Sequence, residues 1–298
     1  MQKVIVIAGP TASGKSALAV ELARESDGEV ISADSRQVYR GLDIGTGKIM
    51  PDEMQGIPHH LLDIADPTDA FTAARFAEAG RAAIEGIAGR GKLPIICGGT
   101  GFYIDALLGR AALPEVEPDP ALRDELSRRS APELYAQLQE LDPARAAAID
   151  RNNPARLIRA IEVATALGAV PPLPRPSPRY DALWIGIAWP DDALRQRIRT
   201  RLLARLDAGM IDEAKRLHAA GLSFARMREL GLEYRALADL LEGRVSEDAF
   251  IETLATKIRQ YARSQMKYWK RNLAIQWVRG ADPLPQAEAL VREFLAKK

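Results

Sequence analysis

A short apolar run of β-branched residues, Val4-Ile5-Val6-Ile7, empties into Gly9-Pro10-Thr11-Ala12-Ser13-Gly14-Lys15-Ser16. Nothing else in the chain constrains its fold as much. The eight residues fit the phosphate-loop pattern G-x-x-x-x-G-K-[ST], whose glycines let backbone N–H groups turn inward on a polyphosphate. Lys15 adds a point charge, and the Ser16 hydroxyl can reach a Mg²⁺ ion carried by that anion. A helix beginning near Lys15 aims its positive dipole end at the same group. Leu18, Ala19, Leu22 and Ala23 follow the helical spacing that packs one face on a sheet. A strand, a phosphate loop and a helix in that order predict a parallel α/β core. The loop leaves open which phosphate compound is bound and whether a phosphoryl group moves.

A chain of 298 residues with 47% hydrophobic content can bury a large core. The net charge of +1 gives no overall basic excess, so a nucleic-acid surface needs local segregation of charge. The single cysteine, Cys97, excludes an internal disulfide and any cysteine-rich metal site; it reads as buried filler at a strand end. His59 and His60 are adjacent and His218 is remote, so zinc-ligand spacing is missing. The first residues enter a strand with no basic leader, and no apolar run approaches ~20 residues. The expectation is a soluble, cytoplasmic monomer with no membrane contact.

Strand and helix signals alternate over the first hundred residues, as a parallel sheet requires. Strands are expected at 4–7, 29–33 and 93–97, and helices at 16–24 and 72–89. The three loops at 9–16, 34–39 and 98–103 then lie just beyond strand carboxyl ends, where open α/β sheets gather their chemistry. Residues 114–120 form an acidic proline-rich linker, and 171–178 a second proline run. Between them helices are expected at 120–129, 131–140 and 154–167. This divides the chain into a core in two parts, 1–117 and 180–298, around a helical insertion at 118–179. A returning strand is read at 183–189, then helices from 191, a short strand at 274–278 and a terminal helix from about 285.

Charge segregates late in the chain. Residues 256–271 hold six basic residues and no acid. On a helix Arg259, Arg263, Lys267 and Lys270 share one face, while Ile258, Ala262, Trp269 and Leu273 would pack inward. Arg197, Arg201 and Arg205 make a second i, i+4 row. Two such rows beside interleaved aromatics suit a polyanion surface, RNA in particular; solvated amphipathic helices are the plainer reading of each row alone.

Further motifs stand in order behind the loop: Ile31-Ser32-Ala33-Asp34-Ser35-Arg36-Gln37-Val38-Tyr39, Asp43-Ile44-Gly45-Thr46-Gly47-Lys48, Pro58-His59-His60-Leu61-Leu62-Asp63, Gly98-Gly99-Thr100-Gly101-Phe102-Tyr103, and Asn153-Pro154-Ala155-Arg156-Leu157-Ile158-Arg159-Ala160-Ile161-Glu162. Over nearly its whole length the chain resembles the tRNA dimethylallyltransferases, or isopentenyl-tRNA transferases. That resemblance implies a P-loop NTPase-like parallel sheet core pierced by a channel, a small all-helical insertion that embraces the anticodon stem-loop, and basic C-terminal helices. It implies transfer of a dimethylallyl group from dimethylallyl diphosphate to N6 of the adenosine 3′-adjacent to the anticodon, in tRNAs reading codons that begin with U. The loop Gly9, Pro10, Thr11, Ala12, Ser13, Gly14, Lys15 and Ser16 would hold the diphosphate, with Mg²⁺ on Ser16 and Arg228 facing the same group.

An adenine amine is a weak nucleophile, so a carboxylate that accepts its proton makes attack feasible. Asp34 is the only acid in its strand-end loop; position alone leaves it open between base and turn cap, and the resemblance implies the base. Thr100 could hydrogen-bond the reacting centre or the bridging oxygen. Carried over by motif, RNA contacts fall on Asp34, Ser35, Arg36, Gln37, Ala155, Arg156, Leu157, Ile158 and Arg159, with Arg123 beside them; Thr100 joins them from the reacting centre, and Arg263 and Lys267 from the basic row. His59 and His60 read first as packing or capping residues. Ala155 stands where the family usually has Gln, and Gly231-Leu232-Glu233 where it has Gly-Tyr-Arg, which exchanges a positive charge for a negative one. Rival readings are a small-molecule P-loop kinase, prenylation of a free adenine nucleotide, and a non-catalytic RNA-binding regulator that keeps the loop as a relic.

Overall fold

The computed structural model describes residues 1–111, 116–117, 119–171, 177–279 and 282–297. Pro114, Glu115 and Pro118 of the acidic linker lie outside these residues, as do Pro172, Leu173, Pro174, Arg175 and Pro176 of the second proline run. The chain divides into two compact units, residues 1–110 with 177–298, and residues 111–176.

The first unit opens with β1 (Lys3–Ala8), α1 (Lys15–Glu25), β2 (Gly28–Ser32), α2 (Pro51–Met54), β3 (His59–His60), α3 (Ala73–Gly89), β4 (Leu93–Gly98) and α4 (Gly101–Leu107). The smaller unit follows, with α5 (Pro120–Ser127), α6 (Ala131–Leu141), α7 (Pro143–Ala148) and α8 (Pro154–Leu167). The chain then resumes as β5 (Asp181–Ala188), α9 (Asp191–Asp207), α10 (Met210–Ala219), α11 (Phe224–Glu229), α12 (Leu232–Leu241), α13 (Glu247–Trp269), β6 (Ile275–Arg279) and α14 (Leu284–Ala296).

The strands form one parallel sheet in the order β3-β2-β4-β1-β5-β6. Continuous apolar runs suit it, because both faces of a parallel sheet are covered. Successive residues serve opposite faces: Val4, Val6, Ile31, Ile96 and Trp184 pack on one side, and Ile5, Ile7, Val30, Ile95 and Ile185 on the other. Ala8 of β1 pairs with Gly98 of β4 and with Gly186 of β5. The expected loops at 9–16 and 98–103 therefore open side by side at the same sheet end, with 34–39 following β2.

The smaller unit has its own core, built from Leu126, Leu134, Leu138, Ala146, Leu157, Ala160 and Ile161. Its helices begin on explicit caps. Asn153 accepts from the Arg156 N–H, Ser130 and Glu133 form a capping box, and Pro154 occupies the first turn of α8. α7 and the two-residue β3 have no counterpart in the sequence reading. Both are shorter than the window over which periodicity can be seen. One inward assignment fails. Leu273 is 95% exposed, because α13 ends at Trp269 and the helical phase that would bury Leu273 ends with it.

Candidate active site

β1 delivers the phosphate loop and α1 takes over at Lys15, with Gly14 at φ 93° as its N-cap, a left-handed position that glycine tolerates. The loop's carbonyls are tied back into the protein. Trp189 Nε1 donates to Ser13 O at 2.9 Å, and Arg197 Nε donates to Ala12 O at 2.9 Å while its guanidinium stacks 4.4 Å from the Trp189 ring. The Lys15 ammonium reaches Pro10 O at 3.3 Å. Burial draws its pKa below the usual lysine value, and the negative charge of Asp34 works against that shift.

One cavity of about 150 Å³ is lined by Thr11, Lys15 and Ser16 from the loop and by Asp34, Ser35, Arg36 and Gln37 from the end of β2. Asp34 fills the turn-cap role that its position left open. Its Oδ1 accepts the N–H groups of Arg36 at 2.9 Å and Gln37 at 3.4 Å, which fixes the turn. Oδ2 has no hydrogen bond or ion pair among the described residues, so it remains an available acceptor in the cavity. Thr100 caps α4 and steadies this turn: its Oγ1 accepts the Ser35 N–H at 3.0 Å, and its own N–H donates to Ala33 O at 3.2 Å. Thr100 itself stands behind Ser35, outside the cavity lining.

Several lining residues were missed by sequence reasoning. Arg201 on α9 borders the cavity and donates from Nη2 to Gly47 O at 2.8 Å. Arg205, one turn on, donates to Gly45 O at 2.8 Å and pairs with Glu233 at 3.5 Å. The row Arg197, Arg201 and Arg205 is thus committed to the loops around the cavity instead of a flat basic face. The 43–47 loop that receives Arg201 and Arg205 is held by buried Glu213, whose carboxylate accepts the N–H groups of Asp43, Ile44 and Gly45 and the Tyr234 hydroxyl. Gln265 and Tyr261 of α13 complete the wall. The Tyr261 ring is half exposed while its hydroxyl is desolvated, pushing it up to about 12. Cys97 also lines the cavity; burial raises its thiol to about 11, so it stands there protonated. His59 lines it too, sharing a 2.8 Å hydrogen bond between Nδ1 and Ile57 O, whereas His60 faces away to the buried Glu29 carboxylate.

The departure at Gly231-Leu232-Glu233 also falls here. Gly231, at φ +118°, lies against Arg36 so closely that a Cβ would sit 2.8 Å from Arg36 Nε. Leu232 and Glu233 line the cavity beside it. Arg228 is not brought to the cavity: it pairs with Asp239 at 2.9 Å and with Glu242.

On the smaller unit, Ala155 and Arg156 are exposed on the first turn of α8, but Leu157 is fully buried and Ile158 packs against the same core. An RNA contact through the Leu157 side chain is therefore corrected to a packing role. Arg123 forms a two-pronged pair with buried Glu162 at 2.7 and 2.8 Å, and Arg159 approaches the same carboxylate at 3.5 Å. Burial alone would raise the Glu162 carboxyl, yet Arg123, the Asp119 N–H and Arg159 hold it below its usual value. On α13, Arg263 shares Asp191 with Arg259, at 2.9 Å for Arg263, while Lys267 is exposed. These two guanidiniums lower Asp191 to about 2.

Comparison with known proteins gives a consistent result. The sequence model described as IPP transferase matches residues 37–272. The chain is 42% identical to tRNA dimethylallyltransferase 1 of Geotalea uraniireducens over 97% of each, and 39% identical to tRNA dimethylallyltransferase of Leuconostoc citreum over 99% of this chain and 100% of that one. Among solved structures it is similar to the full-length tRNA isopentenylpyrophosphate transferase of Bacillus halodurans, with a TM-score of 0.75, 35% identity and coverage of 99% and 97%. A eukaryotic dimethylallyltransferase captured acting on tRNA gives a TM-score of 0.83 at 26% identity, covering 100% of this chain and 80% of that one.

Proposed function

Because the chain belongs to the IPP transferase family of tRNA dimethylallyltransferases, which are prenyltransferases, we propose that it moves a dimethylallyl group from dimethylallyl diphosphate to N6 of the adenosine 3′-adjacent to the anticodon, in tRNAs reading codons that begin with U. Diphosphate is the leaving group. The observation that carries this reading is one cavity shared by Lys15 and Ser16 on one side and Asp34 on the other.

The loop amides, Lys15 and Arg201 hold the diphosphate, where preorganised charge stabilises the oxygen that takes up the electron pair. Mg²⁺ suits this site because it needs few protein ligands and keeps substrate phosphates and waters. Ser16 on the cavity wall is the residue to hold it; among the described residues there is no group of three or more His, Cys, Asp or Glu side chains suited to a metal. When bound, the ion neutralises charge on the departing diphosphate. Asp34 Oδ2 accepts the amine proton as the N6–C bond forms and the C–O bond opens. The target base must first leave its stack, at a cost of a few kcal/mol that is smaller in a loop. Arg36, Gln37, Arg123, Ala155, Arg156, Arg159, Arg263 and Lys267 are assigned to the anticodon stem-loop. Leu157 supports them from the core, and Thr100 and Ser35 keep Asp34 in place.

No helix among the described residues is long and apolar enough to cross a membrane, and a cytoplasmic monomer is the working assignment. Incubating the protein with labelled dimethylallyl diphosphate, Mg²⁺ and bulk tRNA, followed by nucleoside analysis, tests the proposal. Label in N6-(dimethylallyl)adenosine with diphosphate release supports it. Label in free adenine nucleotide alone, or turnover of ATP to ADP with no transfer, overturns it.

A further inference from the structure

Gln265 is a buried amide on the inner face of α13, and it touches both halves of the cavity. Its Oε1 accepts the Thr11 N–H at 2.9 Å, and its Nε2 donates to Gly99 O at 3.0 Å. A backbone N–H can only donate and a carbonyl can only accept, so these partners fix the amide's orientation. Its carboxamide supplies the acceptor and the donor from one side chain. The close approach is built in: a Cβ on Gly99 would collide with Gln265 Nε2, and one on Gly98 with Ala33 O.

The hydrogen bonds continue beyond the amide. Thr100, next to Gly99, donates its N–H to Ala33 O at 3.2 Å, and its Oγ1 accepts the Ser35 N–H at 3.0 Å. Asp34 lies between those two contacts. Gln265 therefore ties the phosphate loop at Thr11 to Gly99, and Thr100, the next residue along the chain, ties that segment to the backbone on either side of Asp34. The Thr11 N–H is also taken up by Gln265, leaving the rest of the loop, Lys15 and Arg201 to meet the anion.

Building on the transfer reaction above, we propose that Gln265 is a positioning residue for group transfer. It sets the distance between the diphosphate cradle and the Asp34 turn, so that the allylic carbon faces the entering amine as its C–O bond opens. In the productive step the electron pair of that bond goes to diphosphate, N6 bonds to carbon and its proton passes to Asp34. With the distance lost, water takes the place of the amine. The C–O bond breaks as before, the water oxygen bonds to carbon, and dimethylallyl alcohol, diphosphate and a proton result.

Gln265→Met removes both hydrogen bonds at nearly constant size. Gln265→Glu keeps the acceptor for Thr11 and loses the donor to Gly99. Each full-length variant is assayed with labelled dimethylallyl diphosphate, Mg²⁺ and tRNA, counting prenylated nucleoside and dimethylallyl alcohol separately. Transfer kcat should fall ~10–100-fold in both, as expected for displacement of about 1 Å at a reacting centre. The KM for tRNA should stay within about twofold, and the share of donor lost to water should rise. Parental kcat and parental partition in either folded variant overturn the proposal. Transfer and hydrolysis falling in step also overturn it, since that marks a structural loss alone. If the parent protein itself gives no transfer to tRNA, the functional reading fails first and that failure is visible before any variant is made.

Discussion

Asp34→Asn separates the two roles of this residue. The turn uses only Oδ1, which accepts from Arg36 N at 2.9 Å and Gln37 N at 3.4 Å. An asparagine carbonyl can accept the same two N–H groups, so the turn should survive. The base does not survive, because a carboxamide cannot take the amine proton. Loss of a general base costs ~10²–10⁴-fold in kcat. Melting temperature and anticodon stem-loop affinity should remain at parental values. Asp34→Ala removes the turn acceptor as well. One short and one long hydrogen bond at a half-buried site are together worth roughly 1–2 kcal/mol, so this variant should show the same loss of kcat plus a melting point lower by several degrees. The assay pairs single-turnover transfer with thermal unfolding of both variants. Parental turnover in Asp34→Asn would refute the base assignment outright. A shared drop in melting temperature, with transfer falling only as far as stability does, would reduce Asp34 to a turn residue.

Lys15→Ala should raise the KM for dimethylallyl diphosphate by at least tenfold and leave RNA affinity within about twofold; equal damage to both, by filter binding and steady-state kinetics, contradicts the cradle. Asp191, held down to about 2 by Arg263 and Arg259, is a carboxylate with a depressed folded-state pKa. Its stabilising contribution is present above the ordinary carboxylate range and is lost as pH falls from about 4 toward 2. Acid unfolding of Asp191→Asn should lack that part of the parental slope, and identical acid limbs would refute the pairing. Lys267→Ala should lower the salt dependence of tRNA binding by about one counterion, whereas Arg263→Ala should lower it less because Arg263 is engaged with Asp191. The reverse order would place Arg263, and not Lys267, on the RNA.

The core was legible where a signal is local. The strand-loop-helix grammar at 4–16, the continuous apolar run that lands Val4 and Ile5 on opposite sheet faces, and the start of α8 on Asn153-Pro154 each depend on neighbours a few residues apart. Short elements escaped for the converse reason. β3 is only two residues, recognisable through its pairing with Val30 and Ile31 and not through its own pattern. Leu273 was misassigned because its helical phase is correct but the helix stops four residues before it.

The site shows a sharper limit. Asp34 and Lys15 follow from motifs, yet Arg201 and Gln265, which border the same cavity, come from positions more than 150 residues away, and motif spacing cannot show which side of a helix meets which loop. The row Arg197, Arg201 and Arg205 has the same i, i+4 spacing whether it faces solvent or the cradle; its direction is decided by Ala12, Gly45 and Gly47. Gln265 carried a signal that could have been read. Ile258, Ala262, Gln265 and Trp269 step by 4, 3 and 4, and all four are buried, so an uncharged polar residue occupies the apolar stripe of a helix whose other face is basic. A buried carboxamide must find a donor and an acceptor or cost several kcal/mol. In a core whose strands end in two glycine-rich loops, the exposed backbone groups of those loops are where such partners lie. The polar residue inside the apolar stripe, more than the basic row beside it, marks where α13 grips the chemistry.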